Sequence, residues 1–222
     1  MEAPARLSAK SLQISAWRGE RTSALAVIST PTALDNVTLR WESKAPLSVT
    51  PSFVRYVMTD GLSPEGKGGC GHRNSADYDS SLVADIIDTH SRVLALAPMT
   101  TRPCWVSIDV PRDTPAGRYS GHLVVSSKGR DMARLALTVS VKQRTLPPPA
   151  EWAFHLDLWQ NPYAVARYHG VEPFSDEHLA LMRPVMQRYA EAGGKVITAS
   201  ITHKPWNGQT YDHFESMVTW LR

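Results

Sequence analysis

The chain has 222 residues, with 24 Lys or Arg against 21 Asp or Glu, so its formal net charge is +3. This length fits one large domain or two small ones, and it suffices for a hydrophobic core without disulfides. The pI is about 8.9, but the basic residues are scattered singly, which argues against nucleic acid as the main partner. A hydrophobic fraction of 42% excludes general disorder, and no apolar run approaches the roughly 18 residues of a membrane span.

The amino terminus and the cysteines exclude other classes. Met1 to Ala5 contains neither a basic nor an apolar region, so no secretory signal is predicted. Cys70 and Cys104 cannot form a disulfide framework and lack zinc spacing. Cys70 with His72 provides at most half of a metal site, and a loop or buried thiol is the simpler interpretation. No metal and no cofactor are predicted.

The first two thirds of the sequence predict β-structure. Short segments alternate between apolar and polar residues and are rich in β-branched and aromatic side chains, as in half-buried strands. Turn residues separate them, which favours an all-β antiparallel sandwich over residues 1–145. The predicted strands include residues 23–28, 36–42, 53–58, 104–110, 119–126 and 133–141.

Two turn-like segments interrupt this pattern. Pro111, Pro115 and Gly117 suit a turn because Pro fixes φ and Gly accepts a positive φ. The strands on either side are therefore predicted to pair as a hairpin. Residues 60–81 are rich in Gly, Ser, Asp and Asn and predict an ordered loop. No Gly-Lys-Ser/Thr follows its glycines, so it does not predict a phosphate-binding loop.

The pattern changes after a proline-rich connector at residues 146–150, which predicts a semi-rigid linker. Residues 152–159 and 195–202 predict two strands, and a helix lies between them after a loop that ends at Pro173. Residues 151–222 therefore predict a parallel βαβ unit followed by the start of a second helix, which is the beginning of an α/β domain. An eight-stranded α/β barrel takes about 250 residues, so we expect the sequence to be truncated.

The helix between these strands carries clear boundary signals. Ser175 suits the N-cap, and Gly193 with Gly194 suits the end. Pro184 lies inside and predicts a kink or a break. A further helix is predicted to begin at Asp212, which has Glu215 three residues later in a capping-box pattern.

Longer segments of the chain resemble glycoside hydrolase family 123. Residues 154–168, and residues 195–198 running into 203–212, are similar to the opening of that family's catalytic domain. Residues 68–73 and 105–111 resemble its N-terminal β-sandwich. The resemblance covers nearly the whole chain and implies a sandwich joined to a TIM barrel.

The resemblance also implies an activity, that of a β-N-acetylgalactosaminidase. In this family the 2-acetamido oxygen of the sugar attacks C1, so the protein does not supply the nucleophile as in the two-carboxylate scheme. An adjacent Asp-Glu pair, well downstream in the barrel, orients the acetamido group and acts as general acid/base. The one adjacent Asp-Glu here, Asp176-Glu177, follows a helix N-cap, where acidic residues are favoured by the helix dipole. We therefore assign no catalytic residue.

Substrate-lining residues are predicted from the barrel rule, because active sites lie on the loops that follow barrel strands. A sugar site needs an aromatic platform and polar groups for hydroxyls. The candidates are Asp157, Trp159 and Gln160 after the first strand, and His203, Trp206 and Asn207 after the second. Packing inside the barrel is the alternative for Asp157, covering the end of the barrel is the alternative for Trp159, and His155 is assigned to structure.

The resemblance implies a glycan containing N-acetylgalactosamine as partner, with no nucleic acid and no membrane span. It suggests a bacterial periplasmic or secreted location, although the chain shows no signal, and the oligomeric state stays open. The alternative is a non-catalytic β-sandwich module that binds glycan or packs on another protein. An Asp-Glu pair beyond residue 222 would favour the enzyme.

Overall fold

A computed structural model of the protein describes residues 11–59, 81–158 and 160–197. The chain divides into two compact units and passes from the first to the second between Leu146 and Pro147. We keep the division into residues 1–145, 146–150 and 151–222 as a proposal. In the described part of the chain, no helix is long and apolar enough to cross a membrane.

The described part of the first unit consists of strands in two sheets. The five-stranded sheet has the order β1-β9-β8-β3-β6 and the four-stranded sheet the order β2-β7-β4-β5. The strands are β1 Ser11–Arg18, β2 Arg21–Thr30, β3 Leu34–Glu42, β4 Ser48–Thr59, β5 Ser81–Asp88, β6 Val93–Leu96, β7 Thr100–Asp109, β8 Gly117–Ser127 and β9 Arg130–Thr145.

The first unit is mostly β-structure, but one of its sheets is mixed. β1 runs parallel to β9, with Ser11 beside Ala136, whereas β9 and β8 are antiparallel. The prediction of a purely antiparallel sandwich is therefore wrong for β1. A parallel neighbour needs a long connection, and β1 and β9 lie at opposite ends of this unit's sequence.

The predicted hairpin between the strands around residues 110–117 does not form. β7 lies in the four-stranded sheet and β8 in the five-stranded sheet, so the segment carries the chain from one sheet to the other. Pro111 and Pro115 have no N–H with which to extend a ladder. The segment is instead held locally, because Thr114 N donates to Pro111 O and the Tyr119 hydroxyl donates to Pro115 O.

Inward-facing side chains of both sheets form the core. Val106 and Ile108 of β7 are fully buried against Leu137 and Val139 of β9. A second cluster surrounds Val37, with Phe53, Leu96 and Cys104. Alternation along each strand places the intervening residues on the outer faces.

The described part of the second unit is helical. A 3₁₀ turn at Pro149–Glu151 precedes α1, Pro162–His169, and α2, Asp176–Glu191. The sequence analysis predicted a loop where α1 lies. Its signals were nevertheless present: the Asn161 side chain accepts from Ala164 N, Pro162 opens the helix, and Gly170 ends it at φ 68°.

The first barrel strand predicted at residues 152–159 is not formed over residues 152–158. Side chains donate hydrogen bonds to backbone carbonyl groups that pairing with another strand would use. Lys195 Nζ donates to Trp152 O, and Gln160 Nε2 donates to Leu158 O. Residues 195–197 are not a strand either, and the rest of that prediction, with the helix from Asp212, lies outside the described residues.

The helix prediction is confirmed for α2. Ser175 is the N-cap, and the helix ends just before Gly193, which has φ 99°. The predicted break does not occur, since α2 continues through Pro184. The ring removes the hydrogen bond of its own N–H and crowds the preceding turn, but the adjoining turns remain helical.

Candidate functional site

The beginning of α2 is built as a helix cap. Ser175 Oγ accepts from His178 N at 3.2 Å. Asp176 and Glu177 follow in the first turn and are exposed to solvent. This position satisfies free N–H groups and complements the helix dipole. The geometry therefore accounts for the Asp-Glu pair without a catalytic role.

His178 is the group at this helix start that the sequence analysis missed. Its side chain is 0% exposed. Its Nδ1 accepts from Phe174 N at 2.8 Å, so the proton belongs on Nε2, which donates to Pro162 O at 2.9 Å. The imidazole thus joins the start of α1 to the start of α2. With both ring nitrogens engaged and no solvent access, His178 is a structural residue.

Tyr189, near the end of α2, also joins two segments of the second unit through hydrogen bonds. Its hydroxyl lies 2.8 Å from Leu156 O and 2.7 Å from Val196 O, the two segments predicted as barrel strands. One hydroxyl proton serves one carbonyl at a time. Gly194 packs directly on the ring, since a Cβ there would lie 2.2 Å from Tyr189 Cε2. Tyr189, packed on Gly194, therefore holds Val196 of the second predicted strand segment beside Leu156 of the first.

Two of the predicted substrate-lining residues are described by the structure. Asp157 is exposed and Gln160 is half-buried, and both belong to the segment between the 3₁₀ turn and α1. Gln160 lies at the entrance to α1, directly before its N-cap Asn161. His155, which was assigned to structure, is exposed. Trp159, His203, Trp206 and Asn207 lie outside the described residues, so their predicted role stays a prediction.

The described ranges contain no grouped metal-ligating side chains, and their free cysteine is buried. They contain no group of three or more His, Cys, Asp or Glu side chains placed to hold a metal ion. Cys104 is a buried free thiol of the sandwich core. Burial raises its pKa to about 12, so the thiolate needed for nucleophilic attack is scarce at neutral pH. Cys70 and His72 are not among the described residues.

The outer face of the five-stranded sheet carries an ion-pair network at one end. Arg40 bonds Asp131 at 2.8 Å and Glu42 at 2.7 Å. Arg134 also pairs with Glu42 and with Asp131. Arg134 and then Arg40 lower the pKa of the Glu42 carboxyl, and Arg40 with Ser126 lowers the pKa of Asp131. Two cations and two anions compensate one another here.

The comparisons with known proteins concern both units. The chain matches the glycoside hydrolase 123 N-terminal domain over residues 1–127 and the glycoside hydrolase 123 catalytic domain over residues 159–222. The first match alone covers more than half of the chain. The chain belongs to glycoside hydrolase family 123. No curated protein matches the chain significantly.

Among solved structures, the chain resembles a family 123 glycoside hydrolase from Clostridium perfringens that was analysed for glycolipid glycan hydrolysis. The TM-score is 0.76 at 23% identity, over 93% of this chain and 36% of that enzyme. The chain therefore spans about a third of the length of this relative. A PapD-like domain of human CEP192 aligns over 62% of this chain and 84% of its own, with 12% identity and a TM-score of only 0.31. The likeness to the Clostridium enzyme supports the fold of the family.

Proposed function

We propose that the protein carrying this chain hydrolyses β-linked N-acetylgalactosamine from glycans, with assistance from the substrate's own acetamido group. The observation that carries the proposal is the family 123 match over both the sandwich and the start of the catalytic domain. The Clostridium perfringens relative, a glycoside hydrolase studied on glycolipid glycans, supports a glycan as the substrate class.

In the proposed reaction the acetamido oxygen attacks C1 and forms an oxazolinium ion as the bond from C1 to the leaving oxygen breaks. A general acid protonates the leaving oxygen, and water, deprotonated by the same group, then opens the ring at C1 with retention of configuration. The family's adjacent Asp-Glu pair would orient the acetamido group and move this proton. Because capping accounts for Asp176 and Glu177, these two roles are not assigned to any residue of this chain.

The role that we propose for this chain's own residues is to bind the sugar. Asp157, which is exposed, and Gln160, which is half-buried, would accept from and donate to its hydroxyls. Trp206 would stack on the C–H face of the sugar beside Asn207 and His203, with Trp159 closing the wall. These assignments rest on the barrel topology that the match to the family 123 catalytic domain implies, since the structure forms no strand at residues 152–158.

The test is hydrolysis of 4-nitrophenyl β-N-acetylgalactosaminide by protein that carries residues 1–222 within a complete family 123 barrel. Asp157→Asn should lower kcat/KM about tenfold, the usual effect of losing a hydrogen bond to a charged group. Asp176→Asn, which removes an exposed carboxylate at the α2 cap, is the matched control and should retain activity. Turnover of the β-N-acetylglucosaminide alone would contradict the proposed specificity.

The 222-residue chain assayed by itself should release no 4-nitrophenol. No residue of this chain is assigned to either carboxylate role, and each such group commonly contributes about 10²-fold or more to the rate. Turnover by the purified chain that Glu177→Gln abolishes would show that the Asp176-Glu177 pair is catalytic and that its assignment as a cap is wrong.

A further inference from the structure

The antiparallel pairing of β8 with β9 brings together basic side chains that are far apart in the sequence, and the parallel pairing of β1 with β9 adds Trp17. Arg118 of β8 lies opposite Ser140 of β9, so Lys142 is its diagonal neighbour on the same outer face, with Cβ atoms about 7–8 Å apart. Arg144 follows Lys142 along β9. All three cations are exposed. With Trp17 of β1 they form what we call the basic end of the five-stranded sheet.

Trp17 supplies an aromatic surface at this end. The Arg144 guanidinium carbon lies 5.0 Å from its ring centroid, and 38% of the residue remains exposed. Its backbone is fixed, because Trp17 N donates to Glu20 Oε2 at 2.6 Å. An indole with a cation stacked on it offers an apolar surface beside positive charge.

Within the described residues, no ion pair includes Arg118, Lys142 or Arg144, whereas Arg40 and Arg134 at the far end of the same face are neutralised by Glu42 and Asp131. On the described part of this face, the cations without an ion pair therefore lie at one end. Such a surface attracts an anion at low ionic strength.

Short hydroxyl side chains cover the sheet between these groups. Ser15 lies beside Ser140, and Ser120 Oγ lies 3.0 Å from Thr138 Oγ1. Hydroxyl groups can both donate and accept. A flat floor of hydroxyls with one indole and several cations suits the hydroxyl, C–H and acidic groups of a charged sugar.

We infer that the basic end is a binding surface for an anionic glycan, one that carries sulfate or carboxylate groups. Cations would hold the acidic groups through charge-assisted hydrogen bonds, and Trp17 would cover a sugar ring. A single indole favours this ligand over single-stranded nucleic acid, which is bound by stacking successive bases on several aromatic side chains. The inference does not depend on hydrolysis of N-acetylgalactosamine.

The experiment is a calorimetric titration of the 222-residue chain with a heparin-derived hexasaccharide, which contains no N-acetylgalactosamine, and with maltohexaose as the neutral counterpart. The double variant R118Q/K142Q should bind the heparin hexasaccharide at least about tenfold more weakly. The matched control R92Q/R130Q removes two exposed cations outside the basic end and should bind like the parent. W17A should also bind more weakly, and circular dichroism verifies that each variant is folded.

Binding of the heparin hexasaccharide that weakens with added salt, and that both R118Q/K142Q and W17A reduce, supports the inference. No binding by the parent chain overturns it. Equal losses in R118Q/K142Q and R92Q/R130Q, with W17A unchanged, also overturn it, because they indicate attraction to the overall charge. Tighter binding of an oligothymidylate through the same residues would assign the surface to nucleic acid and equally overturn it.

Discussion

At the scale of single residues, Gly121 shows how one strand position depends on its neighbour. A Cβ at Gly121 would lie 2.4 Å from Trp41 Cη2 and 2.6 Å from the backbone oxygen of Glu42. We expect Gly121→Ala to lower the free energy of unfolding by about 1–3 kcal/mol, as overpacking of a core does. Gly117→Ala on the same strand, where the nearest atom is 3.8 Å away, is the control in urea denaturation. Equal effects of the two changes would contradict this explanation.

Asp88 should make the sandwich sensitive to acid. Its side chain is nearly buried and accepts from Ser91 N at 2.8 Å, Arg55 Nε at 2.5 Å and His90 N at 3.0 Å. Ser91 first, and then Arg55, hold the pKa of this carboxyl well below its usual range. A lowered pKa stabilises the fold above the unfolded value of about 3.9, and this stabilisation is lost as the pH falls through the folded value.

The corresponding prediction compares Asp88→Asn with the parent chain by thermal unfolding across pH. At pH 7 the variant should unfold at the lower temperature, and the gap should shrink as the pH falls below about 4. Asp113→Asn, in the exposed turn before β8, should keep the parent's pH dependence. A gap that stays constant with pH would mean that the charge of Asp88 does not stabilise the fold.

At the scale of elements, local patterns predicted the strands better than their partners. Alternation and turn residues located β3, β7 and β8, because one face of each is buried and the other is wet. The pairing of β1 with β9 and the passage of residues 110–116 between sheets depend on contacts across the whole unit. α1 was missed although Asn161, Pro162 and Gly170 mark its ends, because its short apolar pattern gave no helical period. The substrate-lining prediction rests on barrel topology and stays a prediction; of its residues, the structure describes Asp157 as exposed and Gln160 as half-buried.

Tyr189 provides a test of how α2 holds the segments around it. Tyr189→Phe removes only the hydroxyl that lies between Leu156 O and Val196 O. We expect the free energy of unfolding to fall by about 1 kcal/mol, the net contribution of one hydrogen bond. Amide exchange in residues 152–158 should become faster. Tyr168→Phe, at a ring that is 86% exposed, should change neither. Unchanged exchange in Tyr189→Phe would show that packing on Gly194 is sufficient.

At the scale of the whole molecule, the order of strands in the sheet brings together charged and aromatic side chains that are distant in the sequence. Trp17, Arg118 and Lys142 come from three strands, and the sequence therefore shows scattered cations where the fold forms a basic end. The same parallel pairing joins the beginning of the first unit to its last strand. The five-stranded sheet of this unit is therefore complete only when β9 has formed along its whole length.

The place of β9 at the end of the unit predicts at which residue an isolated sandwich fragment can end. Both core clusters lie within residues 11–141, but the last links to β1 come later. Leu146 N donates to Arg18 O at 2.8 Å, and Arg18 donates to Gln143 O. A fragment of residues 1–146 should therefore unfold in one cooperative transition in urea, followed by the fluorescence of Trp17, Trp41 and Trp105. A fragment ending at Ser140 removes the buried Val141 as well as these links and should be less stable by at least about 2 kcal/mol. If the longer fragment shows no cooperative transition, the core of the sandwich is not sufficient for folding without the rest of the chain.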